Sequence, residues 1–403
     1  MSRRYRYFSA DSHFESLPET WTHRVPAKYR DRAPRRIKLA DGRDAIIEEG
    51  QPLEYRGTNL FAGKSLEQFN PVNLDFEKSA GTGPPQQRLK EQDADGIDGE
   101  LLFATEARNT KIKDKDAFLA IIKAFNDYFI EEYCAVDPDR LIGVAVMPDI
   151  GADENIDEMK RCKEKGFRAA RLHTFPSGKN YPTPEDDKFY AAALDLNMPI
   201  TIHTSFPRRT DERDVFLMKY PKEPHGEDRP FDFLQRLARQ GIYHCGAVEA
   251  TQLIFTGVFD RFSKLQIYWA ENNIGWIPYF YQQMDQTYKV NCSWAERLLG
   301  LPKLKKLPSE YLREHAQWGV FDDPIGIQLR HMVGVDKIMW STDFPHIVTR
   351  WPKSLELMEQ QFAGVPEDEK SRMLASNAVK FFHLDAVCQD SQPPTNAKAR
   401  VGA

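Results

Sequence analysis

The sequence predicts an α/β protein, a parallel (β/α)8 TIM barrel with long inserted loops. Two patterns lead there. Short apolar runs of β character alternate with segments of helical periodicity along most of the chain, and eight such runs can be picked out. Alternation of this kind implies right-handed crossovers and a parallel sheet, and eight repeats favour closure over an open doubly wound sheet. In addition, residues of metal-ligand type stand at the ends of four runs that are far apart in sequence: Asp11 and His13, His203, Glu271 and Asp343. A parallel barrel gathers the C-terminal ends of its strands on one face, where catalytic residues sit.

The first run is Tyr5–Asp11. It is followed by Glu100–Ala104, Leu141–Val146, Phe167–Leu172, Pro199–His203, Leu265–Glu271, Gln317–Phe321 and Lys337–Asp343. Helical segments separate several of these directly; the remaining crossovers are inferred. Residues 116–135 carry apolar side chains at Phe118, Ile121, Ile122, Phe125, Tyr128 and Phe129, one face of a helix. Residues 155–165 form a second helix stopped by Gly166, where a left-handed residue is needed. Residues 186–196 and 249–258 supply two more. Two stretches, about 30–95 and 204–232, are rich in charge, Gly and Pro and read as excursions that serve as lids or interface arms. The barrel is expected to occupy residues 1–388 as one domain, with 389–403 as a flexible tail.

The 403 residues suit a barrel with insertions. A formal net charge of -5 provides no broad basic field, which argues against nucleic acid as a partner. The five cysteines are widely spaced and contain no Cys-x-x-Cys, so neither a disulfide framework nor a zinc knuckle is expected. The basic Met1-Ser2-Arg3-Arg4 is not followed by an apolar leader, and no stretch is long and apolar enough to span a membrane. The expectation is a cytoplasmic protein acting on a small molecule. No Gly-x-Gly-x-x-Gly follows the first run, which counts against a dinucleotide fold.

Imidazole with carboxylate is the donor set of a Zn²⁺, Mn²⁺ or Fe site. In a strand, residues i and i+2 share a face, so Asp11 and His13 can both reach one ion. An N-cap Asp beside a structural histidine accounts for that pair equally well. His203 alone is weak evidence and gains from the company of the others. Asp343 could be a helix N-cap, a ligand, or the group that manages a proton. Glu271 must be paired, hydrogen-bonded or metal-bound to be tolerated beside an apolar strand; an ion pair with Arg171 is the plain alternative. Arg171 and His173 could hold an anionic substrate. Phe14, Trp276 and Phe344 could line an aromatic pocket, although aromatics near a site are more often core. His225, His244, His315, His331 and His383 are assigned to core or surface.

Taken in order, Asp11-Ser12-His13-Phe14-Glu15, Val25-Pro26-Ala27-Lys28-Tyr29-Arg30, Ile200-Thr201-Ile202-His203, Gly275-Trp276-Ile277-Pro278-Tyr279, Met339-Trp340-Ser341-Thr342-Asp343-Phe344-Pro345-His346 and Ser376-Asn377-Ala378-Val379-Lys380-Phe381-Phe382 resemble the amidohydrolase superfamily. The resemblance is to the branch containing aminocarboxymuconate-semialdehyde and γ-resorcylate decarboxylases. It implies that Asp11, His13, His203 and Asp343 are metal ligands, with Zn²⁺ the expected ion and Mn or Fe the alternatives. It also implies hydrolysis or non-oxidative decarboxylation of a cyclic or aromatic carboxylic acid, and, with the long excursions, a homo-oligomer, expected as a dimer. Asp343, Glu271 and His346 are the expected catalytic groups. Two departures stand out. The first motif is Asp-x-His where many relatives have His-x-His or Glu-x-His. The substrate-facing histidine after the sixth strand is replaced by Glu271-Asn272-Asn273. Glu271 could act as acid/base or as a further ligand. The second option leaves open a non-heme (di)iron oxygenase on the same barrel, and a non-catalytic binding relative is the remaining alternative.

Overall fold

The computed structural model describes residues 4–40, 44–50, 54–55, 60–65, 67, 76, 79–104, 112–206, 246–384 and 387–388. Among these residues, eight parallel strands form one sheet: β1 (Phe8–Phe14), β2 (Gly99–Ala104), β3 (Leu141–Val146), β4 (Ala169–Leu172), β5 (Ile200–His203), β6 (Ile267–Ala270), β7 (Ala316–Val320) and β8 (Ile338–Trp340). Spatial order follows chain order, and each neighbouring pair is parallel. Backbone hydrogen bonds between β1 and the β8 exit bring the first and last strands together: Asp343 N donates to Asp11 O at 3.0 Å and His13 N donates to Phe344 O at 2.7 Å. The sheet is the nearly closed barrel that the alternation predicts.

Strand boundaries differ from the sequence reading by a few residues, chiefly at β1. The chain pairs only from Phe8, and the strand runs through His13 instead of ending at Asp11. Arg4–Tyr5 leaves the barrel to pair with Val387–Cys388.

Side-chain alternation sorts each strand into an inward and an outward set. Leu101, Phe103, Ile142, Val144, Tyr268, Ala270 and Met339 meet in the barrel interior. The outward set packs on the surrounding helices. Helix α2 (Lys115–Tyr128) is capped by Asp114, whose carboxylate accepts from Asp116 N and Ala117 N, both at 3.1 Å. Its buried Phe118, Ile121, Ile122 and Phe125 face the wall, each contributing roughly 1.5–3 kcal/mol by burial. Helix α3 (Ala152–Lys165) ends as expected at Gly166, at φ 104°. The sequence reading named no helix at α1 (Pro85–Asp95), which lies in the first excursion, or at α4 (Ile277–Leu299). The remainder of the first excursion contributes a small antiparallel sheet, Arg35–Lys38, Asp44–Ile47 and Glu54–Tyr55. The second excursion lies outside the described residues beyond Phe206, as does the 389–403 tail. Opposite the catalytic face, Ala375, Ala378, Val379 and Phe382 pack with Tyr5 and Phe8 to plug the barrel floor. No helix among the described residues is long and apolar enough to cross a membrane.

Candidate metal centre

Asp11, His13, His203 and Glu271 each offer a ligand atom within 4.8 Å of the others, and His13, Asp343 and His346 form a second such group. All five residues named as ligands from sequence are therefore brought to one place. His13 Nε2 lies 3.2 Å from His203 Nε2, 3.8 Å from Asp11 Oδ1 and 2.9 Å from Asp343 Oδ1. His203 Nε2 lies 3.4 Å from both Asp11 Oδ1 and Glu271 Oε2. With ligand bonds of about 2.1 Å, the edges of a tetrahedron or octahedron around one ion measure about 3.0–3.4 Å. Most of these separations fall on or near that range.

Two observations fit the cluster to a cation. Both carboxylate oxygens of Asp11 are buried and neither has a hydrogen-bond partner; Asp343 Oδ1, equally buried, lies 2.9 Å from His13 Nε2. Buried acceptors of this kind are costly unless an ion or donor satisfies them. Burial also pushes the Asp11 carboxyl up to about 7 and the His13 imidazole down to about 4, the latter helped by the neighbouring His346. His13 is thus neutral, with a lone pair to give. His13 approaches Asp11, His203 and Asp343 through the same Nε2. One ring nitrogen binds one ion, so this arrangement favours a single-ion centre over two ions sharing His13.

The backbone makes these positions reachable. Thr204, Glu271 and Asp343 follow β5, β6 and β8 at φ 56°, 53° and 51°. Such left-handed residues cost about 1–3 kcal/mol where unsupported and cluster at functional sites. At β6 the consequence is direct. Ala270 already faces the interior, and the break in the pleat lets Glu271 face the same centre. Asn272 fixes that exit by donating to Ala270 O (2.7 Å) and Thr204 O (3.0 Å) while accepting from Gly246 N (2.6 Å).

A family model described as amidohydrolase matches residues 74–384. The chain belongs to the amidohydrolase family. Among curated relatives, the amidohydrolase is 25% identical over 310 residues to a γ-resorcylate decarboxylase from a Rhizobium species, covering 74% of this chain and 86% of the relative. Its fold is similar to that of an amidohydrolase from Mycobacterium avium subsp. paratuberculosis, with TM-score 0.69, 16% identity and coverage of 94% and 99% of the two chains. It is also similar to a 5-carboxyvanillate decarboxylase from Novosphingobium aromaticivorans complexed with manganese and 4-hydroxy-3-methoxy-5-nitrobenzoic acid, with TM-score 0.61, 19% identity and coverage of 94% and 96%.

Around the amidohydrolase's ligand cluster, His346 stacks on His13 with ring centroids 3.6 Å apart. Its Nδ1 lies 3.5 Å from Asp343 Oδ1 and its Nε2 lies 3.1 Å from Glu15 Oε1. Burial works against the charged ring, but these two carboxylates raise it to about 10. Burial would raise Asp343, yet His346 and His13 hold it below the usual carboxylate range. Glu271 moves the other way: burial, then the Asp343 and Asp11 charges, raise it well above its ordinary value. Its side chain retains 26% exposure, more than Asp11, His13 or Asp343.

Arg171 is buried, donates from Nη1 to Ala104 O at 2.8 Å, and lies over the Phe103 ring, which meets the His203 ring edge-on at 5.1 Å. His173 lies just past β4, two residues beyond Arg171, and Asp149 Oδ2 accepts from its backbone N–H at 2.6 Å. Glu15 and Asp149 were missed by the sequence reading. The spacing Asp11-x-His13-x-Glu15 could have found Glu15; Asp149, just past β3, carries no comparable signal.

The three aromatics proposed as pocket lining are not brought to the cluster. Phe14 follows His13 and so points outward, against Phe129 (4.6 Å), Tyr133 (4.4 Å) and Phe125 (6.1 Å). Phe344 packs on Trp351 and under the Arg88 guanidinium. Trp276 packs on Trp318 and Phe280, and its indole donates to Asn272 O and Asn273 O, fastening the loop that carries Glu271. Phe14→Ala is therefore expected to cost about 3–5 kcal/mol of stability in a denaturant titration while leaving KM unchanged. A raised KM at unchanged stability would return Phe14 to the pocket. Among the other histidines, His315 is core, stacked on Phe259, and His331 is exposed and paired with Glu369; His225 and His244 lie outside the described residues.

Proposed function

We propose that this amidohydrolase removes CO2 from an aromatic carboxylic acid without oxidation, using a single divalent ion. The observation that carries the reading is the buried, unsatisfied Asp11 carboxylate among His13, His203 and Asp343, in a chain whose curated relatives include decarboxylases of aromatic acids. Asp11, His13, His203 and Asp343 would hold the ion. Two carboxylates with two imidazoles suit Mn²⁺ as well as Zn²⁺, and manganese is named in the similar 5-carboxyvanillate decarboxylase, so Mn²⁺ replaces Zn²⁺ as the favoured ion. When bound, the ion supplies a positive centre that orients and polarises the substrate's oxygens.

The protein's own groups do the rest. Arg171, with His173 just past the end of its strand, offers positive charge to an anionic substrate. Decarboxylation requires a proton on the ring carbon as its bond to the carboxylate breaks, ArCO2⁻ + H⁺ giving ArH + CO2. Asp343 and Glu271 have divergent proton affinities, a pattern that separates roles. Asp343 is ionised and suited to be a ligand. Glu271, whose hold on a proton is strengthened by burial and by the Asp343 and Asp11 charges, is the proposed donor, reloading from water after each cycle. His346, held by Glu15, keeps Asp343 ionised and in place.

The test uses purified chain loaded with Mn²⁺ or Zn²⁺ and a panel of hydroxylated benzoates, including 2,6-dihydroxybenzoate and 5-carboxyvanillate. CO2 release dependent on the ion is expected. Ion-dependent cleavage of amides or esters with no CO2 from any benzoate would replace this reading with hydrolysis.

A further inference from the structure

Asp11 and His13 both face inward only because β1 is irregular. In a regular strand Phe8, Ala10, Ser12 and Phe14 would share the inner face. The register against β2 shifts between Ser9 and Ser12, a bulge that transfers the inward direction to Asp11 and His13 and turns Phe14 out. A bulge leaves backbone groups without strand partners, and here Asp11 O is satisfied by Ser9 Oγ of the same strand and by the β8 exit. Ser9 Oγ donates to Asp11 O at 2.9 Å, Thr342 N donates to Ser9 Oγ at 2.9 Å, and Asp343 N donates to Asp11 O at 3.0 Å.

Three buried hydroxyls close the arrangement. Ser9 Oγ lies 2.9 Å from Ser12 Oγ and 3.1 Å from Thr342 Oγ1, and Ser12 Oγ lies 3.1 Å from Thr342 Oγ1. Ser12 Oγ also donates to Glu100 Oε1 at 3.2 Å. Glu100 is fixed from its other oxygen by Arg88 Nε (2.7 Å) and Gln92 Nε2 (2.8 Å), both on α1. Each hydroxyl has one proton to give and can accept in return, so the three oxygens share their protons among one another, Asp11 O and Glu100 Oε1. Ser12 stands between Asp11 and His13; Thr342 immediately precedes Asp343. The network therefore joins the Asp11–His13 and Asp343 halves of the candidate ligand set.

We infer that the Ser9–Ser12–Thr342 hydroxyl cluster, anchored through Glu100 to Arg88 of α1, consists of positioning residues that set the ligand geometry at the metal centre. The inference rests on the single-ion reading above and not on the substrate class. Groups that orient metal ligands typically contribute about 10–100-fold in metal affinity.

The experiment titrates Mn²⁺ alone into the full chain, following affinity by calorimetry and ligand symmetry by electron paramagnetic resonance. Thr342→Val keeps the shape and removes the hydroxyl. It should weaken Mn²⁺ binding by about 10–100-fold and alter the spectrum, and Thr342→Ser should restore both. Ser12→Ala, which interrupts the link to Glu100, is the second variant should Thr342→Val fold poorly, and the same weakening is expected. Wild-type affinity and spectrum in the valine variant, or in Ser12→Ala where that one is used, would overturn the inference. So would a serine variant as weak as the valine one, since packing of the methyl group would then explain the effect. A wild-type chain that takes up neither Mn²⁺ nor Zn²⁺ overturns both this inference and the metal centre. A chain that binds Mn²⁺ as described but releases no CO2 overturns only the decarboxylase reading.

Discussion

Replacing His13 with alanine should strip the metal from the purified protein and abolish turnover while the barrel still folds. His13 Nε2 is the common vertex of the cluster, within 3.8 Å of Asp11, His203 and Asp343. Its loss removes one ligand and the neighbour that helps hold Asp343 ionised. The remaining carboxylates would then repel one another, and one of them should take up a proton instead of binding the ion. The loss of affinity should exceed the roughly 10–100-fold typical of an outer orienting group. His203→Ala should behave alike. Metal analysis and circular dichroism on both variants decide the matter: full metal occupancy in either, with the fold intact, refutes its assignment as a ligand.

Glu271→Gln should separate chemistry from metal binding. Glutamine retains the shape of the side chain and loses the transferable proton. Turnover should fall by about 10²–10⁴-fold with metal content unchanged. Glu271 Oε2 is also 3.4 Å from His203 Nε2, close enough to belong to the coordination shell. If the substitution strips the ion, Glu271 is a ligand and another group protonates the ring carbon. If neither turnover nor metal changes, Glu271 is structural and the reading of the sixth strand's exit fails.

The barrel and the ligand cluster were legible because each depends on a local pattern. Apolar runs mark strands, and a ligand-type residue just past such a run lies on the catalytic face of any parallel barrel. What was not legible depends on contacts between distant segments. The bulge in β1 is stabilised by Thr342 and Asp343, more than 300 positions away, and nothing between Tyr5 and Phe14 reveals it. The directions of Phe14, Phe344 and Trp276 follow from that bulge and from packing against Tyr133, Arg88 and Trp318. The left-handed backbone at Glu271 is likewise invisible in sequence, since glycine is the residue that ordinarily announces it.

The parallel pairing of Arg4–Tyr5 with Val387–Cys388 has a practical corollary. Those segments meet beneath the plugged floor, at the pole of the barrel opposite the ligand cluster. A surface tether, reporter or carrier attached next to either segment would hold the molecule with its mouth pointing away from the support.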